Sequence, residues 1–174
     1  APIVAELAKN RDILTSAVVT KPFTFEGSKR KEIAEAGYEN LKDKVDAIIS
    51  VQNDRILQII DKKTSLIDAF KTVDEVLRQG IAGISDLITT HGVVNADFAD
   101  IRTIMQDAGT AMMGIGRASG EGRAEIAAKA AVNSPLLDMT IDGAQGVLFN
   151  ITGGSDLGMF EIDEAAKVIT KNVD

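Results

Sequence analysis

At 174 residues and 45% hydrophobic content, the chain can bury one large core or two small ones. Its net charge of −7, with a pI near 4.8, argues against a binder of nucleic-acid backbone, which needs clustered Lys and Arg. With no cysteine, no apolar run near the roughly 18 residues of a membrane span and no opening signal segment, the chain is expected to be cytoplasmic, without a disulfide framework, a thiolate metal site or direct membrane insertion.

Taken in chain order, helix and strand alternate. Ala1–Asn10 reads as a helix, and Leu14–Thr20 is a β-branched, strand-like run closed by Pro22. Gly27–Lys44 reads as a charged helix marked by Ile33, Tyr38, Leu41 and the following Val45, and Ala47–Val51 as a short buried strand with Asn53 just past its end. This βαβ succession predicts parallel strands whose carboxyl ends bear ligand-binding loops, so that 21–30 and 52–55 share one edge. From Leu66 the apolar residues Phe70, Val73, Leu77, Ile81, Ile84 and Ile88 recur at steps of three and four, widened by Ala69, Val76 and Leu87. A helix of about 24 residues would span roughly 36 Å and cross a whole domain. Gly80 and Gly83 within it point to close backbone packing. The helix is expected to end at His91-Gly92. One imidazole cannot supply a histidine-rich zinc site, so His91 reads as a turn residue. Beyond it come a helix near 97–106, a strand at Met113–Ala118, a helix near Glu121–Val132, a break at Pro135, a strand at Val147–Thr152 and a final helix near Phe160–Lys171.

The loop Asn95-Ala96-Asp97-Phe98-Ala99-Asp100 gathers two acids and an amide after the long helix. With the next helix starting near Asp97, both carboxylates fall on its first turn, where the helix dipole favours anions. Asp97 as an N-cap with Asp100 at N3 is one reading, and a reactive pair is the other. Other signals fail. Gly114-Ile115-Gly116-Arg117-Ala118-Ser119 lacks the third glycine of a dinucleotide fingerprint. Thr152-Gly153-Gly154-Ser155 lacks a following Lys and meets Asp156 where phosphate would sit, so it reads as a turn. Asn150-Ile151-Thr152 is a chance sequon in a strand expected to be buried, and no serine or cysteine nucleophile has an assignable base.

Thr20-Lys21-Pro22-Phe23-Thr24-Phe25-Glu26-Gly27, Asn53-Asp54-Arg55, the 95–100 loop, Ser134-Pro135-Leu136-Leu137 and Gly143-Ala144-Gln145-Gly146-Val147 follow one another along the whole chain. In this order they closely resemble the FtsZ family, tubulin-like GTPases of bacterial division. The resemblance implies an α/β chain with a partial tubulin/FtsZ fold. Half of a Rossmann-like GTPase domain (1–64) is joined by a long central helix (65–90) to a synergy loop and partial α+β second domain (91–174). It implies GTP or GDP as ligand, with Mg2+ accompanying GTP. It also implies a head-to-tail homopolymer in which the synergy loop of one subunit completes the hydrolytic site of the next, at the cytoplasmic division site.

By that resemblance Glu26 and Arg30 contact ribose and phosphate, and Asn53 contacts the sugar. A carboxylate accepts hydroxyl hydrogen bonds, and a guanidinium offers a planar fork to phosphate oxygens. Phe70 would stack on guanine while Asp74 accepts from its N1 and N2 hydrogens, the four-residue step placing both on one helix face. On residues alone, Phe70 reads as core packing on the apolar stripe and Asp74 as a solvated helix residue. Asn95, Asp97 and Asp100 become the catalytic set, positioning a water or a cation at the γ-phosphate. In the family a glycine-rich phosphate loop precedes the segment matching Ala1-Pro2, and a tail beyond the second domain binds membrane-anchoring division proteins. The chain is accordingly expected to be a fragment of such a GTPase. The alternatives are a non-hydrolysing assembly or capping fragment and a non-division tubulin-like filament protein.

Overall fold

The computed structural model describes all residues except 59, 62, 90–97, 135–143 and 173–174. Its elements are helix α1 (Pro2–Lys9), strand β1 (Ser16–Lys21), a 3-10 turn (Thr24–Glu26), helix α2 (Ser28–Lys42), strand β2 (Ala47–Gln52) and helices α3 (Asn53–Ile56), α4 (Leu66–Thr89) and α5 (Phe98–Met105). Strand β3 (Gly109–Ala111) and helices α6 (Arg123–Val132) and α7 (Met159–Lys171) follow. The chain forms two compact units, Ala1–Ala111 and Met112–Asp174.

In the first unit the strands make a parallel sheet in the order β1-β2-β3, Ser16 opposite Ala47 and Lys21 opposite Gln52, with Ala47 opposite Gly109. Parallel strands need crossovers, which α2 supplies between β1 and β2. The central strand is apolar throughout its buried length, as a strand covered on both faces must be: Ala47, Ile48, Ile49 and Val51 are all buried. Ile48 packs with Ala5 of α1, Leu41 of α2 and Val45, joined by Ala17, Val19 and Tyr38. Asp46 ties the three strand starts together. Its buried carboxylate accepts the Thr15 N–H at 2.8 Å, its own N–H donates to the Thr15 carbonyl at 2.8 Å, and its carbonyl accepts the Gly109 N–H at 2.9 Å.

The long helix begins at Leu66 as the periodicity predicts and runs 24 residues. Its buried face is narrower than the apolar stripe: Ala69, Val73, Val76 and Gly80 are covered, whereas Leu66, Ile81 and Ile88 are exposed. The expected helix near 97–106 is α5.

The strand expected at Met113–Ala118 lies earlier, at Gly109–Ala111. Backbone geometry decides this. Gly109 takes φ 69°, a left-handed turn open to glycine, and from there the chain enters the sheet beside β2. That pairing holds residues 109–111 to the first unit, so the compact units divide at 111/112, whereas the reading from sequence drew its division along the long helix.

In the second unit α6 and α7 pack through Ala124, Ala128 and Ala165, with Ile151, Val168 and Ile169 around them. Gly114 and Gly116 lie against α6 so closely that a Cβ on either would collide with the carbonyl oxygens of Ala131 and Ala127. The two glycines are therefore spacers for backbone contact, and the dinucleotide reading stays rejected. The strand expected at Val147–Thr152 is absent among the described residues. Ile151 spends its apolar side chain on the α6/α7 core instead. Among the described residues no helix is long and apolar enough to cross a membrane.

Candidate functional site

Because β1 and β2 are parallel and in register to Lys21 and Gln52, the segments that follow them leave the sheet at the same edge. After β1, Pro22 ends the ladder and Phe23 opens the 3-10 turn. The Phe23 N–H donates to Glu26 Oε1 at 2.8 Å, and the Glu26 N–H returns a bond to the Phe23 carbonyl at 3.0 Å. Gly27 follows at φ 95°, which lets α2 start immediately. The other Glu26 oxygen lies 3.1 Å from Arg30 Nε. The carboxylate is only 9% exposed and the guanidinium 71%, so Glu26 is an anchored acceptor while Arg30 reaches into solvent.

After β2, Asn53 begins α3 directly and is buried. Its side-chain oxygen Oδ1 has no hydrogen-bond partner, the one buried side-chain polar atom so placed among the described residues. Such an atom costs free energy unless something else satisfies it. The adjacent Asp54 clamps the 3-10 turn: its carboxylate accepts the Thr24 N–H at 2.9 Å and the Thr24 hydroxyl at 2.5 Å. The hydroxyl bond foremost, then the amide bond, hold the Asp54 carboxyl below its ordinary range. Lys21 turns toward α2, 3.2 Å from Glu35 and 4.5 Å above the Tyr38 ring.

Phe70, on the first turns of α4, meets this edge through Phe23. The two rings are T-shaped at 5.4 Å and 85°, and Phe25 stacks on Phe23 at 4.9 Å and 15°. Phe23 is 1% exposed and Phe70 39%. Asp74, one turn beyond Phe70, is exposed. Glu26, Arg30 and Phe70 are thus linked through the 23–26 turn, and Asn53 is joined to the same turn by its neighbour Asp54. The arrangement offers a half-exposed ring, buried acceptors and a solvent-facing guanidinium paired on one side with Glu26, complementary to a flat heterocycle, a sugar and an anion.

Asp100 is exposed on the first turn of α5, while Asn95 and Asp97 lie outside the described residues. Sequence reasoning gave Phe23 and Asp54 no role of their own. A Glu three residues after Phe23 is the signal that could have marked the turn. It also missed Arg123 of the second unit. Arg123 grips Glu161 with two bonds, 2.7 and 3.1 Å, and the Asp156 carboxylate at 2.7 Å, across 38 and 33 residues of chain. Arg123, with the Gly158 N–H, pulls the Glu161 carboxyl down to about 2. Asp156 lies within a turn that the Leu157 N–H closes on the Gly154 carbonyl at 3.0 Å, and Arg123 braces it, so the turn expected at 152–155 begins at its second glycine.

The sequence matches the GTPase domain of the Tubulin/FtsZ family over residues 1–61 and the C-terminal domain of the FtsZ family over residues 109–174. Among solved structures, an empty FtsZ dimer from M. jannaschii is 42% identical with a TM-score of 0.93, the match covering 99% of this chain and 50% of that one. A point mutant of M. jannaschii FtsZ is also 42% identical, with a TM-score of 0.92 and coverage of 99% and 52%. CetZ1 from Haloferax volcanii, a GDP-bound monomer, has a TM-score of 0.71 at 15% identity over 99% of this chain and 51% of its own, a likeness of fold alone. The chain spans about half the length of the FtsZ structures it matches.

Proposed function

This chain belongs to the FtsZ family of tubulin-like proteins, and from that premise we propose that it is part of a filament-forming GTPase of bacterial cytokinesis. The observation that carries the nucleotide reading is the unpaired Asn53 Oδ1, buried at the sheet edge where the 23–26 turn brings Glu26 and Phe70. A ribose hydroxyl is a donor that would satisfy it once the amide turns toward the ligand, since the oxygen is enclosed as it stands. In the proposal Glu26 accepts from the sugar, Arg30 meets phosphate, Phe70 stacks on guanine and Asp74 accepts from the base's N–H groups. The self-association named for the M. jannaschii FtsZ dimer supports a homopolymer here. Asn95, Asp97 and Asp100 would then act on the GTP of the next subunit, orienting the attacking water, with Mg2+ arriving on the nucleotide. Membrane-anchoring division proteins would act through a tail outside these residues.

The test is Asp97→Ala in a protein of full FtsZ length carrying these residues. GTP binding by calorimetry should be nearly unchanged while hydrolysis collapses, because the loop serves the neighbour's nucleotide. Were Asp97 only a helix cap, turnover would persist and stability would drop by about 1 kcal/mol.

A further inference from the structure

We propose that Phe23 is a positioning residue that fixes the angle of the Phe70 ring for the base. The inference rests on the nucleotide reading above and goes beyond it. Phe23 is the most enclosed aromatic side chain of the first unit, yet it sits on a surface turn and not in the sheet core. Three contacts hold it. Phe25 lies flat on its ring, its backbone N–H is bonded to Glu26, and its ring meets Phe70 at 85°. The Thr24–Asp54 clamp then fastens the turn to α3. Phe70 is 39% exposed on its helix, and the T-shaped partner limits the rotamers that its ring can take while part of the side chain stays exposed for stacking.

The side chain and the backbone of Phe23 serve different parts of the ligand. Its ring orients the base-side Phe70, whereas its N–H orients the sugar-side Glu26, and a side-chain substitution removes only the first. In a protein of full FtsZ length carrying these residues, Phe23→Leu should weaken GTP about 2- to 12-fold, the range of an aromatic pair. Affinity for ribose 5-triphosphate, which has no base, should stay unchanged. In a Phe70→Leu background the effect of Phe23→Leu on GTP should vanish. Pentafluorophenylalanine at position 23 keeps the ring's shape and reverses its quadrupole, and it should reproduce the loss if Phe23→Leu does not fold. Equal weakening of GTP and ribose 5-triphosphate, or no weakening of GTP, overturns the inference. If Phe70→Leu alone weakens GTP while both position-23 variants bind normally, the inference falls and the base-stacking reading stands. If Phe70→Leu leaves GTP affinity intact, both fall.

Discussion

Individual side chains at the sheet edge are separated by what they can do once anchored. Glu26 is shielded and bonded, so it is a fixed acceptor, whereas Asp74 is exposed on α4 and gains meaning only with a base beside it. Asp74→Ala should lower the discrimination of GTP over ATP by about 1–3 kcal/mol, roughly 5- to 150-fold, as read by competition binding in a full-length protein. An unchanged preference would make Asp74 a solvated helix residue. In the second unit, Glu161 shows how a charged pair makes stability depend on pH. Its carboxyl, ordinarily near 4.5, is held at about 2 in the fold by Arg123 and Gly158. A depressed carboxyl pKa stabilises above the unfolded value, and that contribution is lost as pH falls from about 4.5 to 2. Thermal melting across this window should therefore drop, and Glu161→Gln should flatten the difference between its ends.

At the scale of elements, glycine placement separates close packing from mere helix filling. A methyl group at Gly116 would collide with the Ala127 carbonyl of α6, and neither side of that contact is a flexible side chain. Gly116→Ala should lower the denaturant midpoint by an amount equivalent to about 1–3 kcal/mol through overpacking. Gly37 in α2 is the contrast: nothing lies within 4 Å of a Cβ there and its φ is not positive. Gly37→Ala should stabilise by about 0.5–1 kcal/mol, through helix propensity and a less flexible unfolded chain. Equal effects at the two positions would contradict the packing described for residues 114–116. Periodicity exposed α4 because an amphipathic helix writes its buried face every three or four residues. It did not expose β3, which is three residues long and is recruited by the Asp46–Gly109 bond.

For the whole molecule, the proposal divides one reaction between two copies, and mixing can test it. A full-length variant with Asp97→Ala keeps its nucleotide but lacks the loop, and a second variant unable to bind nucleotide keeps Asp97. Filaments containing both should regain part of the hydrolysis lost by each alone. No recovery in filaments shown to contain both would falsify catalysis shared across the subunit interface.

By itself the sequence determined the parallel βαβ order, the long helix from Leu66 and the common edge of the segments after β1 and β2. These follow from local apolar periodicity and from the parallel direction that a helical crossover imposes on two neighbouring strands. The ordered motifs determined the family as well. Tertiary structure alone decided that Phe23, Thr24 and Asp54 bind the candidate site into one piece and that Asn53 keeps an unsatisfied oxygen. It alone decided that Arg123 braces a turn more than 30 residues away. The physical reason is range. Hydrogen bonds between side chains distant in sequence leave no period and no propensity behind, so they become legible only when the fold has brought their partners within about 3 Å.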